Sequence, residues 1–264
     1  MRESGDTILA SGQYSAASLG RYEWVFGQDF LSSGAMEMAQ RAAQQLGLRP
    51  GLRVLDVGSG FGGSAFHFAG ICGVQVLGLD ILPAMVADAQ WRACAKGLTG
   101  VEFICGDVLT APIATQSFDS VYSKDSFLHV RDNRALANQL IEVLVPGGRL
   151  FVTDYLRGRK YGSNEFESYA ASSGYELVTC DDYVSFMREA GFVDIRSLNW
   201  TTRLIDLLCA DIDRLCAAAS DTQGIAASDA EYLLERWRLK VRCLRSGDMK
   251  WMSITARKPT DAPA

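Results

Sequence analysis

The sequence predicts an α/β protein: a parallel sheet covered on both faces by helices. Three observations carry this. From residue 53 onward, short strand-like apolar runs alternate with helical patterns. A glycine string, Gly58-Ser59-Gly60-Phe61-Gly62-Gly63, follows the first of these strands and opens a helix. Acidic residues close the next two strands, Asp80 at the second and Asp107 just past the third, where ligands bind in open α/β sheets.

Residues 1–34 are polar with scattered aromatics and predict a short helix over 16–26, then a loop ending Ser32-Ser33-Gly34. Residues 35–47 are rich in helix formers, with Met38, Ala42 and Leu46 on one face, Gly47 as cap and Pro50-Gly51 as punctuation. The alternation then runs strand 53–57, helix 63–71, strand 74–79, helix 83–96 opened by Pro83, strand 101–105, strand 118–123, helix 134–144 and strand 149–154 after Pro146-Gly147-Gly148. A helix over 180–190 ends at Gly191, and residues 192–198 and 251–257 predict two more strands. Between them about two helices are expected over 201–245, with Leu204, Leu208, Ile212, Leu215 and Ala219 on one face. An insertion of this kind, residues 200–246, builds a wall or lid over a site. The whole chain, 1–264, is expected to be a single domain, with 1–34 as an N-terminal lid segment.

Composition narrows the function classes. Apolar residues make up 48% and charged residues 22% of the chain, near the average for a folded protein, which excludes disorder as the main state. The net charge of −5 and pI of about 5.2 argue against a nucleic-acid partner. No apolar run reaches membrane-spanning length and no secretion signal opens the chain, so a cytoplasmic protein without a membrane partner is expected. Nothing marks an obligate protein partner. The seven cysteines include no C-x-x-C pair and are expected to be reduced, mostly buried thiols. His67 and His129 lack metal-ligand spacing, so no metal is expected.

The glycine turn matches neither a dinucleotide fingerprint nor a P-loop. Its acidic residue, Asp56, precedes the first glycine and suits a cationic ligand rather than a pyrophosphate. Asp80 is placed to accept ribose hydroxyls, and Asp107 to meet an adenine edge. This pattern resembles the class I S-adenosylmethionine-dependent methyltransferases. The resemblance implies a Rossmann-like seven-stranded sheet whose last strand runs antiparallel, with helical lid insertions. It also implies S-adenosylmethionine as cofactor, held by Asp56, Gly58, Ser59, Gly60, Gly62 and Asp80, with Asp107, Val108 and Ile81 framing the adenine.

Within that class the chain is similar to the phosphoethanolamine N-methyltransferases. The matching stretches are Gly12-Gln13-Tyr14, Tyr22-Glu23-Trp24-Val25-Phe26-Gly27, Ser32-Ser33-Gly34, the glycine loop, Ser123-Lys124-Asp125-Ser126-Phe127-Leu128-His129, Thr153-Asp154-Tyr155, Tyr175-Glu176-Leu177-Val178-Thr179 and the strand at Trp251. The likeness implies a catalytic Tyr14–His129 pair that assists deprotonation, and Asp125 as the carboxylate receiving the substrate amine. It further implies Leu31, Ser32 and Ser123 at the cofactor, and Gln13, Tyr155, Tyr175 and Lys240 at the substrate phosphate. The chain departs from the family at Ser173, where the family has an arginine, and at Lys124, which replaces another. A lost guanidinium removes bidentate phosphate recognition. The expected activity is therefore methyl transfer to a small-molecule acceptor. The specialised-metabolite branch, an amine nitrogen or an indole carbon, stands ahead of the alternative, a phosphobase such as phosphoethanolamine.

Overall fold

The computed structural model describes residues 22–221 and 227–260. The sites expected at Gln13 and Tyr14, and most of the 16–26 helix, lie outside the described residues; residues 22–26 are helical. The strands are β1 (Arg53–Val57), β2 (Gln75–Asp80), β3 (Val101–Cys105), β4 (Phe118–Lys124), β5 (Leu144–Arg157), β6 (Val193–Asn199) and β7 (Met249–Arg257). The longer helices are α1 (Ala35–Leu46), α2 (Gly63–Cys72), α3 (Pro83–Ala95), α4 (Asn133–Val143), α5 (Asn164–Ser172), α6 (Cys180–Glu189), α7 (Thr201–Asp221) and α8 (Ala227–Arg245).

The seven strands form one sheet in the order β3-β2-β1-β4-β5-β7-β6. The first five are mutually parallel, and β7 runs antiparallel to both of its neighbours. This is the Rossmann-like sheet that the sequence predicts. The order reverses at β1, so the carboxyl ends of β1, β2 and β4 open a crevice beside the turn after β1. Alternation along β1 sends Leu55 and Val57 into a core layer shared with Leu136 and Leu140 of α4, and Val54 into the opposite layer with Ala65 and Phe68 of α2. A third apolar cluster joins the α7–α8 pair to the sheet through Leu204, Leu208, Leu233, Trp237 and Trp251.

Most element boundaries fall within two residues of expectation. The main exception is β5, which starts at Leu144, so that Pro146-Gly147-Gly148 lies inside the strand where its register with β4 shifts. Helix α5 was not anticipated, although Ser163 caps it by accepting from the Phe166 N–H and Glu165 and Glu167 occupy its first turn. The expectation of mostly buried thiols is corrected: Cys243 is buried, but Cys94, Cys105 and Cys216 are exposed and the other three are intermediate. The exposed thiols sit on helices α3 and α7 and at the end of β3. Among the described residues, no helix is long and apolar enough to cross a membrane.

Candidate active site

A cavity enclosing about 1360 Å³, its open mouth included, lies over the carboxyl ends of β1, β2 and β4. Its floor is the turn after β1. Gly58 and Ser59 donate their N–H groups to the Leu79 carbonyl at 2.7 and 3.2 Å, which folds the turn against β2. Gly58 has φ +74°, and a Cβ there would lie 2.0 Å from Ser126 Oγ. The position therefore needs glycine on two counts, backbone and space.

Asp80 is buried at the end of β2, where its Oδ2 accepts from Gly60 N–H at 2.9 Å and its Oδ1 from Leu82 N–H at 3.0 Å. Burial raises its pKa, and these N–H groups oppose the rise. Each oxygen keeps a further lone pair for a ligand hydroxyl. Asp107 closes a turn by accepting from Leu109 N–H at 2.9 Å. With Gly58, Gly60, Ile81 and Val108 these residues line one end of the cavity, and Leu31 and Ser32 close over it. Buried carboxylate, tight glycine turn and apolar walls fit a ligand that carries a ribose and a flat base.

Several residues expected at the cofactor stand behind the wall instead. By strand alternation Asp56 points to the face of Val54, away from the cavity. It is 2% exposed, and its Oδ2 has no hydrogen-bond partner among the described residues. Burial and then the neighbouring Asp80 push its carboxyl up to about 8. Ser123 Oγ donates to the Val57 carbonyl at 2.8 Å and ties β4 to β1. Ser59 lies under the turn, and Gly62 caps α2, where a Cβ would strike the Phe66 and Phe103 rings. None of the four lines the cavity.

The segment after β4 joins the two ends of the cavity. Ser126 lies against Gly58, and the 3-10 turn Phe127–His129 leads to the far end. Asp125 has φ +52°, a left-handed conformation uncommon outside glycine. Its carboxylate is held by three donors: Trp251 Nε1 at 2.8 Å, Thr153 Oγ1 at 3.3 Å and the Lys124 ammonium. Lys124 also donates to Ser32 Oγ at 2.7 Å, which pins the covering segment to the site.

His129 Nδ1 lies 3.1 Å from the Gly174 carbonyl, an acceptor, so Nδ1 carries the proton and Nε2 the lone pair. Burial lowers its pKa to about 4, against a smaller opposing effect of that carbonyl. The ring faces Tyr175 at 5.5 Å, and Tyr175 leads to Tyr155 at 6.2 Å and Tyr169 at 5.8 Å. Lys240 sits over Tyr155, 4.4 Å from its centroid, and donates to its hydroxyl at 3.4 Å.

Ser173 does not line the cavity. It is 1% exposed, and its Oγ accepts from Arg236 at 3.0 Å. Arg236, one turn before Lys240 on α8, does line it. A guanidinium therefore enters the cavity from α8, on Arg236, a residue the sequence reading does not single out. Its spacing to Lys240 on a predicted helix was the available signal. Trp251 Nε1 is a second such omission, legible in the sequence only as part of a strand.

Residues 22–34 cover the mouth and are tied down on both sides. Arg92 of α3 pairs with Glu23, Asp29 and Asp88 while lying 4.3 Å over Phe61, and Lys96 reaches Asp29 at 2.9 Å. On the other side Ser33 Oγ donates to Asp211 at 2.7 Å, and Arg214 donates to the Val25 carbonyl.

Residues 48–189 match a family model described as a methyltransferase domain. The chain is 33% identical over 252 residues to phosphoethanolamine N-methyltransferase 1 of Arabidopsis thaliana, covering 95% of this chain and 51% of that protein. It is 30% identical over 197 residues to the phosphoethanolamine N-methyltransferase of Plasmodium falciparum, covering 74% and 73%. Among solved structures it superposes with TM-score 0.92, at 27% identity, on phosphoethanolamine N-methyltransferase 2 of Haemonchus contortus in complex with phosphomonomethylethanolamine and S-adenosylhomocysteine; the match covers 98% of this chain and 61% of that one. The chain spans about half the length of the plant relatives it matches.

Proposed function

We propose, from the premise that this chain belongs to the methyltransferase-domain family and shares the sequence family of the phosphoethanolamine N-methyltransferases, that it transfers a methyl group from S-adenosylmethionine to the nitrogen of a small phosphorylated amine. One observation carries the reading. A single cavity joins a nucleoside-type end at Asp80 to a cationic end at Lys240, with Asp125 and His129 between them. The relatives' activity supports the phosphobase over the specialised-metabolite acceptor. The argument for a larger, less anionic ring loses its ground, because Ser173 is buried outside the cavity and a guanidinium reaches the cationic end from α8.

When bound, the cofactor supplies an electrophilic sulfonium methyl. The chain supplies alignment and a proton acceptor. His129, whose pKa burial lowers, is the proposed proton acceptor: its Nε2 takes the proton that leaves the acceptor ammonium. Asp125, fixed by Trp251 and Thr153, accepts an N–H of the amine and stabilises the charge that grows on nitrogen during transfer. Tyr155, Tyr175 and Lys240 hold the anionic end, and residues 22–34 exclude water. Tyr14 and Gln13 join this machinery in the proposal through the family likeness alone.

The test is turnover of labelled cofactor against phosphoethanolamine, its mono- and dimethyl forms, ethanolamine and a set of indoles. Turnover confined to the phosphorylated amines is expected. Turnover of indoles with none of the phosphobases would overturn the reading.

A further inference from the structure

Among the described residues, the Arg236 guanidinium pairs with no carboxylate. One nitrogen donates to Ser173 Oγ at 3.0 Å, and the group lies over the faces of Tyr169 and Tyr232, 5.9 and 5.7 Å from their centroids. Lys240, one helical turn on, meets the Tyr155 hydroxyl and ring. Neither cation pairs with a carboxylate among the described residues. Other arginines of this chain do: Arg92 takes Glu23, Arg157 takes Glu167, Arg203 takes Glu37 and Arg242 takes Glu165. Like charges four residues apart repel on a helix, and desolvation beside three tyrosine rings adds to the cost of holding both. An anion in the cavity removes both penalties. The donor geometry suits a tetrahedral dianion, a planar fork from one side and a point charge from the other.

We propose that Arg236 is the specificity-determining residue for the acceptor's phosphate, clamping it together with Lys240, and that Ser173 is the positioning residue that fixes the guanidinium plane. The proposal rests on the preceding reading for the amine end of the acceptor; the anion site stands on its own geometry. Ser173 is the C-cap of α5, and its backbone N–H is bound to the Tyr169 carbonyl. Its hydroxyl therefore has a fixed origin from which to hold a side chain of α8. A small hydroxyl at 173 leaves the space that the Arg236 guanidinium enters. An arginine placed at 173 would set a second guanidinium against the first in a buried position, and would not rebuild the clamp.

The experiment compares wild type with Arg236→Met, Arg236→Lys, Ser173→Ala and Ser173→Arg. The readouts are KM and kcat for phosphoethanolamine, the phosphoethanolamine-to-ethanolamine preference, and calorimetric affinity for inorganic phosphate, phosphocholine and S-adenosylhomocysteine. Loss of two charge-assisted hydrogen bonds should raise the phosphoethanolamine KM about thirtyfold or more in Arg236→Met, with the preference collapsing and S-adenosylhomocysteine affinity unchanged. Arg236→Lys, which keeps the charge and the packing, should recover part of the KM. Ser173→Ala should raise KM severalfold with kcat held, and Ser173→Arg should lower phosphobase turnover. A wild type active on phosphoethanolamine whose KM is indifferent to Arg236→Met and Arg236→Lys overturns the clamp, as does phosphate affinity that survives in both variants. A gain of phosphobase turnover in Ser173→Arg also overturns it. A wild type that binds phosphate through Arg236 yet methylates no phosphobase supports the clamp and overturns the acceptor proposed above instead.

Discussion

His129 gives the sharpest quantitative prediction, because its Nδ1 meets the Gly174 carbonyl and burial favours the neutral ring. Its pKa falls from 6.5 to about 4 on folding, chiefly through burial. The unfolded chain therefore takes up a proton at this residue between those values while the native state does not. Stability contributed by the neutral ring is complete above pH 6.5, declines as pH falls, and is gone below about pH 4. For one site with these pKa values, the loss between pH 7.5 and pH 5 is about 2 kcal/mol. Replacing His129 by Gln removes the titration and keeps a similar volume. Other buried acids also make stability pH-dependent: Asp56, Asp80 and Asp154 are raised by burial and work in the opposite sense. They are common to both proteins, so the difference isolates His129. Urea unfolding of wild type and His129→Gln at intervals from pH 7.5 to pH 5 should give two curves whose separation changes by about 2 kcal/mol, with wild type losing more as pH falls. Parallel curves would refute the buried neutral imidazole. The same reasoning carries to catalysis. The variant should turn over some 10²–10⁴-fold more slowly, and the acidic limb of the wild-type kcat/KM profile contributed by this residue should lie near pH 4, not at the 6.5 of a free imidazole. A limb at 6.5 that vanishes in the variant would show that the ring is solvated.

Three further outcomes follow from the geometry. Asp80→Ala should weaken cofactor binding by about 2–3 kcal/mol in a folded protein, read by calorimetry; unchanged affinity would remove Asp80 from the ribose. Gly58→Ala places a Cβ 2.0 Å from Ser126 Oγ at φ +74°, so cofactor affinity should fall at least about tenfold with a cost of about 1–2 kcal/mol from the backbone alone; differential scanning calorimetry and titration both read it, and a silent substitution would show that the turn is loose. Trp251→Phe deletes the 2.8 Å bond to Asp125 and should lower kcat roughly tenfold, since about 1–1.5 kcal/mol of carboxylate positioning is lost, while leaving cofactor affinity alone; an unchanged kcat would separate Asp125 from the reacting nitrogen.

The sheet and the glycine turn were legible because each rests on short-range sequence. The strand patterns, Pro83 and the glycine turn each act within a few residues. Asp80 and Asp107 were legible because a strand end is a local feature whose side of the sheet is fixed by the fold class. Asp56 shows the limit. Its proximity to the turn is local, but the face it takes is decided by which residues of β1 pack against α2, and Val54 draws that alternation inward. Helix α5 was missed although its cap and acidic first turn were present, because it stands outside the alternating β-α pattern.

The acceptor end was the least legible, and the reason is physical. Charge complementarity depends on where a guanidinium ends up, not on which position encodes it. Ser173 read alone signals a lost anion contact; read with Arg236 at 3.0 Å it signals the seat of one. The two are far apart in the chain and meet only because the α7–α8 insertion folds back over the carboxyl ends of the strands. A helix packed along the cavity can present a cation at each of two successive turns, as Arg236 and Lys240 do. The same helix buries Leu233 and Trp237 in the cluster beneath it, so the position of the cations is set by apolar packing and not by the anion they would hold. The proposed clamp is then preorganised: the repulsion between the cations is borne by the folded chain, and binding of the proposed anion would release it. In the proposed clamp, the field that selects the acceptor is therefore built into an insertion between two strands, separate from the strand ends that line the other part of the cavity.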